Sequence, residues 1–277
     1  MALNMTAFAR CTRAVLFGCA ALALLSGCAS QAENPQVAAA RAEANDPIEP
    51  FNRWVFNINE GFDILLLRPT AVVYRDLVPP PLQDNTRNFL RNLRSPLIFA
   101  NQLLQGDLDG AQNAAARFLV NSTIGFGGLA DVATATGVPY EEEDFGQTLA
   151  VWGVPEGAYL VLPLYGPSTL RDAAGSGVET IADPLNWWLR NNDLNWLVYT
   201  RIGVSAVDAR SRLIEVVDDL RTNSMDYYAT VRSLYRQNRD NLIRDGQGTG
   251  DEFPEFNDPA ANTPPAPDNR PQRPATR

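Results

Sequence analysis

Three cysteines and no histidine limit what this 277-residue chain can do as a reagent. Without histidine, Ser-His-Asp and Cys-His nucleophilic sites and the His-Glu-x-x-His zinc motif are all excluded. A zinc site lacking histidine and cysteine would be very unusual. The only dense carboxylate cluster, Glu141-Glu142-Glu143-Asp144, is consecutive and reads as a solvated turn followed by a helix cap. The informative thiol is Cys28, which directly follows Leu25-Ser26-Gly27. Ahead of it lie Arg10 and Arg13 and an apolar run from Ala14 to Leu25. That order of positive flank, short apolar core and small residues matches an export signal, and the run is too short to span a bilayer permanently.

The tetrad Leu25-Ser26-Gly27-Cys28 resembles the bacterial lipobox, which implies that Cys28 is the acylated first residue of the mature chain; the alternative is a plain signal peptide with an incidental cysteine. Position 29 is alanine rather than the aspartate that retains lipoproteins at the inner membrane, so the resemblance favours the outer membrane. Each buried methylene contributes about 0.8 kcal/mol, so two or three acyl chains hold a protein durably on a membrane. Cys11 and Cys19 leave with the signal, so neither a disulfide nor a free thiol remains. The signal carries two arginines and no acids, so its removal takes the net charge from −9 to −11. So acidic a chain is a poor partner for nucleic acid and has no polybasic grip on anionic lipid. Attachment must come from acyl chains and apolar surface. No cofactor or metal is expected.

Four regions follow from composition: a signal peptide at 1–27, an acylated start and polar tether at 28–45, a folded part at 46–245, and a tail at 246–277. The tail is crowded with Gly, Pro, Asn and Asp and is too poor in aliphatics to offset its ordering entropy, so disorder is expected there. Asp46-Pro47-Ile48-Glu49 has the form of a helix cap, although Pro50 can shift the start. Beyond it Phe51, Trp54, Val55, Ile58, Phe62, Leu65 and Leu66 recur at helical spacing, with Asn52, Arg53, Asn57, Asn59 and Glu60 between them. Such a stripe either packs into a core or faces lipid. Further helices are expected at 83–93, 96–104 and 107–119, with Pro96 and Gly106 as breaks, and after Asp144, with Phe145, Leu149 and Trp152 on one face. Two long helices at 203–222 and 225–244 should close the fold, with apolar faces at Leu213, Ile214, Val217 and Leu220 and at Tyr227, Tyr228, Val231, Leu234, Tyr235, Leu242 and Ile243. No run of alternating strands stands out, so the fold class is mainly α.

Two uncharged stretches fit a soluble bundle poorly: Asn121 to Ala130, with Gly125-Phe126-Gly127-Gly128, and Gly157 to Pro167. They are either a buried hairpin and a buried connection, or glycine-rich backbone set against lipid or a cavity wall; at membrane depth irregular backbone is tolerated only where protein covers it or a water-filled cavity satisfies it. The stretch Gly125, Gly127, Gly128 is correspondingly either a tight turn between helices or a hinge.

The ordered motifs Asp46-Pro47-x-Glu49-Pro50-Phe51-Asn52-Arg53, Arg68-Pro69, Asn88-Phe89-x-x-Asn92-Leu93-x-x-Pro96 and Leu104-Gln105-Gly106 resemble the MlaA (VacJ) family of outer-membrane lipoproteins. The resemblance continues through Arg117-Phe118-x-x-Asn121, Gly125-x-Gly127-Gly128-x-x-Asp131, Asp144-Phe145-Gly146-Gln147-Thr148-Leu149 and Gly166-Pro167-Ser168-x-x-Arg171-Asp172, covering roughly 46–240. It implies a helical, ring-like protein in the inner leaflet of the outer membrane, on its periplasmic side. A central amphipathic channel would let mislocalised outer-leaflet phospholipid descend and so maintain lipid asymmetry. Its implied partners are phospholipid, a trimeric porin and the periplasmic carrier MlaC. On that reading Phe51, Trp54, Ile58, Phe62 and Phe126 face lipid or its path, Gly125, Gly127 and Gly128 form a hinge, and no catalytic residue exists. A structural envelope lipoprotein that scaffolds without moving lipid is the alternative; an envelope hydrolase would need a site that no spacing here specifies.

Overall fold

The computed structural model of the chain describes residues 45–244, so Cys28, nearly all of the tether and the 246–277 tail lie outside the described residues. The described part is mainly helical. It opens with α1 (Glu49–Phe62), a π-helical segment (Asp63–Leu67) and α2 (Arg68–Leu77), which run on as one rod. The widened turn has a local cause. Pro69 offers no N–H and its ring would strike the carbonyl four residues back, at Leu65. The backbone loosens there to an i→i+5 pattern, and the Arg68 N–H reaches the Asp63 carbonyl. Asp46 does not cap this rod: Ile48 occupies the cap position with no side-chain bond, and the helix begins at Glu49.

Next come α3 (Pro80–Gln105) and α4 (Leu108–Thr123), the most extensively packed pair in the fold. The expected break at Pro96 is absent; α3 continues through it, its buried Asn92, Ser95 and Ile98 flanking the proline. A proline inside a helix costs about 3 kcal/mol, and tertiary packing along both flanks offsets that. Gly106 does end the helix, in the left-handed conformation at φ 82°, and Asp107 caps α4 by accepting from the N–H groups of Asp109 and Gly110. Short α5 (Val132–Ala135) and α6 (Phe145–Val151) follow, capped by Asp131 and Asp144. The expected solvated acidic turn is only partly so. Glu143 is buried and accepts from Gln105 Nε2 at 2.7 Å.

Strands do occur. Tyr159–Leu162 (β1) pairs antiparallel with Gly166–Thr169 (β2), Tyr159 opposite Thr169 and Leu162 opposite Gly166. The uncharged Gly157–Pro167 stretch is this hairpin, whose inward residues Tyr159 and Val161 form a small core with Val55 and Tyr228. Then come α7 (Leu170–Ala182) and α8 (Pro184–Asn191), which the sequence pattern did not announce, α9 (Asn195–Arg212), α10 (Ile214–Asn223) and α11 (Tyr227–Ile243). The expected 203–222 helix is thus the end of one helix and all of another, broken at Leu213.

Burial is inverted relative to a water-soluble protein. Among the described residues, the buried set holds twelve apolar side chains, four of them alanine, and twenty polar or charged ones. Helix α1 shows how. Its Asn face turns inward: Asn52 Nδ2 donates to the Tyr159 carbonyl at 3.0 Å while its Oδ1 accepts from Val161 N at 3.0 Å. Two turns on, Asn59 does the same to the Leu162 carbonyl (2.9 Å) and Leu164 N (2.8 Å). Two amides seven residues apart thus complete the free edge of β1 where another strand would otherwise be needed.

Arginine–carboxylate pairs fasten the rest. Every one of the 23 basic residues is arginine. Its planar fork matches a carboxylate with two parallel bonds. Arg210 grips Asp63 at 2.7 and 3.0 Å, and Arg221 reaches the same carboxylate at 3.1 Å. Arg53 grips Asp226, Arg68 grips Asp218, and Arg232 holds Asp46, so the opening rod is tied to the last three helices. Within the middle of the fold, Arg117 on α4 holds Asp131 at 2.8 and 2.9 Å with almost no exposure.

Burial pushes the Asp131 carboxyl upward, but bonds from Thr134, Arg117 and Asn121 outweigh it and hold it at about 2. A carboxyl lowered in this way stabilises the fold above the ordinary carboxylate value of about 4, and that contribution is lost as pH falls through about 2. Asp131→Asn should therefore destabilise the detergent-solubilised protein by about 3 kcal/mol at pH 7, because Arg117 stays buried without its counter-charge. Urea unfolding of both proteins should show the gap narrowing toward pH 2. A difference below about 0.5 kcal/mol at pH 7 would contradict the clamp.

Candidate functional site

With its amides inward, α1 presents Phe51, Trp54, Ile58 and Phe62 outward, and all four are exposed. The π-helical turn carries the stripe on: Leu65 is 81% exposed, while Asp63 on the opposite side is held by Arg210. Phe51 and Trp54 lie ring to ring at 6.1 Å, so the stripe starts as a continuous aromatic face. Asn52 at 0% and Val55 at 1% exposure mark the inward side of the same helix. The structure therefore decides the orientation that periodicity leaves open. The apolar stripe is surface.

The same holds around the fold. All five tryptophans (Trp54, Trp152, Trp187, Trp188 and Trp196) are more than half exposed, as are Leu164 and Tyr165 at the hairpin tip. Trp152 still anchors locally, stacking edge-on against Phe145 at 5.9 Å and donating Nε1–H to the Leu104 carbonyl at 2.9 Å. Exposed apolar surface on this scale marks a partner or a membrane. Tryptophan in particular favours the membrane–water interface, where an apolar ring and one N–H are both satisfied. Sequence reasoning missed this second face; the doublet Trp187-Trp188 is the signal that could have found it.

The glycine-rich stretch follows α4 as a compact turn. Gly125 N bonds the Val120 carbonyl, Gly127 N that of Ser122, Gly128 N that of Asn121 at 2.7 Å, and Ala130 N that of Gly125. Two of the glycines are needed for close approach. A Cβ on Gly125 would lie 2.3 Å from the Ala130 carbonyl oxygen, and one on Gly128, at φ 94°, would lie 2.5 Å from Asn92 Cβ. Gly127 differs, since it has φ 74° and open space where a Cβ would be. Phe126, at φ 55° and 81% exposed, stands out from the turn beside exposed Ile124. The stretch is thus separate from the α1 stripe in sequence yet shares its outward apolar character.

Sequence reasoning missed a polar seam inside the fold. Glu179 on α7 accepts from Asn101 Nδ2 on α3 at 2.8 Å and from the Phe145 backbone N–H at 2.8 Å, joining three helices. Burial pushes its carboxyl above the ordinary range despite those bonds. Among the described residues no group of His, Cys, Asp and Glu side chains is arranged to hold a metal ion, and no helix is long and apolar enough to cross a membrane.

Residues 44–242 match the family of MlaA lipoproteins. The chain is 34% identical over 229 residues to the intermembrane phospholipid transport system lipoprotein MlaA of Escherichia coli, covering 81% of this chain and 86% of that one. The protein of the same name from Haemophilus influenzae is 33% identical over 241 residues, covering 85% and 92%. A solved structure described as the structural basis for maintenance of bacterial outer membrane lipid asymmetry superposes with a TM-score of 0.64 at 36% identity, over 72% of this chain and 98% of that one. With a family match over most of its length and relatives above 30% identity, the chain belongs to the MlaA lipoprotein family.

Proposed function

We propose that this protein is an outer-membrane lipoprotein, acylated at Cys28, that takes mislocalised phospholipid from the outer leaflet and passes it through an amphipathic channel toward a periplasmic carrier. The observation that carries the reading is the inverted burial: polar side chains tied together inside, apolar side chains outward. A protein lodged in one leaflet has that requirement, because its outer surface meets acyl chains while a lipid headgroup passing through needs polar walls. The tying of the first rod to the last three helices supports a closed ring. The family relatives named for phospholipid transport support the cargo.

On this reading Phe51, Trp54, Ile58 and Phe62 seat the protein among acyl chains, with a trimeric porin as neighbour and MlaC as the carrier below. Phe126 stands at the border of the lipid path. Its turn pivots at Gly127, where a Cβ would meet open space. No bond is broken, and the protein acts as a conduit rather than an enzyme.

A strain lacking the protein should accumulate phospholipid in its outer leaflet, and wild type supplied in trans should restore asymmetry. Ile58→Asp puts a charge on the lipid-facing stripe at a cost of about 3 kcal/mol in lipid while leaving the inward face intact. It should accumulate at normal abundance yet fail to restore asymmetry. Gly127→Val imposes a left-handed conformation on a β-branched residue, a strain of about 1–2 kcal/mol that the fold can bear. It should stay folded and membrane-bound but alter lipid passage. Full restoration by Ile58→Asp would remove the stripe from the membrane, and full restoration by Gly127→Val would make the turn static.

A further inference from the structure

A polar basin of about 590 Å³ opens between α11, the segment before β1 and the start of α7. Its walls carry four arginines, Arg171, Arg232, Arg236 and Arg239, against two acids, Glu156 and Asp240. Three of the arginines, at 232, 236 and 239, fall on one face of α11 at i, i+4 and i+7.

The arginines are held from behind. Asp172 accepts from Arg171 Nε at 3.1 Å, Arg239 Nη2 at 3.0 Å and the Tyr235 hydroxyl at 2.6 Å. Asp144 receives Arg239 through both Nη atoms, at 2.5 and 2.7 Å. Asp46 receives Arg232 at 2.8 Å together with the Tyr228 hydroxyl. None of these three carboxylates lines the basin. They orient the guanidiniums, as supporting groups orient a ligand shell, while the cationic groups remain at the wall. After these bonds the buried Nε–H of Arg239 still has no partner. At the rim, Glu156 accepts from Arg236 at 3.0 Å in a half-exposed pair. Such pairs contribute little, so an incoming anion can compete for Arg236.

We propose that this basin binds a phosphate group, presented either as a phospholipid headgroup or as a soluble phosphate ester. Arginine suits phosphate because its fork donates two parallel bonds to two oxygens. The volume falls in the range of small-molecule sites and exceeds what a bare ion needs, which leaves room for a glycerol or ethanolamine group. The headgroup source rests on the lipid-transport reading; the affinity for phosphate does not.

The test is calorimetric titration of the full acylated chain in maltoside micelles with two probes. One is glycerol 3-phosphate, and the other is dihexanoyl-phosphatidylglycerol below its micellar concentration. Both should bind, and Arg236→Gln and Ser233→Asp, each on the accessible wall, should weaken both at least tenfold with unchanged circular dichroism. Gln112→Glu, an equal charge change far off on α4, should leave binding as in wild type. Tighter binding of the lipid identifies the headgroup as the source, and equal or tighter binding of the ester identifies a soluble phosphate; either upholds the site. Failure of the transport reading would leave glycerol 3-phosphate binding intact, so the two ideas fail separately. No binding of either probe at millimolar concentration overturns the proposal, as does binding that both basin variants leave unchanged.

Discussion

The fold depends on pairing charge in an interior that, among the described residues, buries more polar and charged side chains than apolar ones. Moving a lone guanidinium or carboxylate out of water costs several kcal/mol, and a buried pair recovers this only with good geometry and its remaining hydrogen bonds met. The carboxylates of these pairs meet that demand, while the buried Nε–H of Arg239 is left without a partner. Asp63 is shared by Arg210 and Arg221, Asp172 by Arg171, Arg239 and Tyr235, and Asp131 by Arg117, Asn121 and Thr134. Lysine would be a poorer fit in these places, since its ammonium is a compact point charge without the planar fork that gives two parallel bonds.

Such pairs give direction more than stability. On the proposed seating in a membrane, apolar contacts discriminate weakly between partners, because lipid tails are as apolar as leucine. Which helix meets which is therefore set by groups that tolerate only one complement. Arg53, Arg68 and Asp63 in the opening rod find Asp226, Asp218 and Arg210 near the other end of the fold. The amides of Asn52 and Asn59 likewise accept only the free edge of one strand. Between them, these contacts close the described part from its first helix to its last and leave the apolar stripe of α1 no place except the surface.

Much of this architecture was legible in the sequence and part of it was not, for identifiable reasons. The stripe Phe51, Trp54, Ile58, Phe62 follows from helical spacing, the cap at Asp144 from residue type, and the stop at Gly106 from the need for a left-handed residue. The direction of the stripe was hidden, because periodicity defines two faces without saying which is inside; the buried Asn52 decides that. The hairpin was hidden because its strands are four residues each and lean on side-chain amides of α1 rather than on a wider sheet. Pro96 misled because the cost of an interior proline is local while the packing that offsets it comes from a neighbouring helix. The arginine basin joins residue 171 to residues 232–239, and no local pattern connects positions so far apart.

On the proposed function the polar interior exists because the apolar exterior is in lipid, and tryptophan fluorescence measures this directly. The five tryptophans report on two separate parts of the surface, α1 and the α6–α9 region, without any added label. Acylated protein reconstituted into vesicles of phospholipid brominated along the acyl chain should lose most of its tryptophan emission relative to unbrominated vesicles, and single Trp→Phe variants at 54, 187 and 196 should each remove a share of the quenched signal. Aqueous iodide should quench weakly in both. Strong quenching by iodide with none by bromine would place these faces in water and contradict the account.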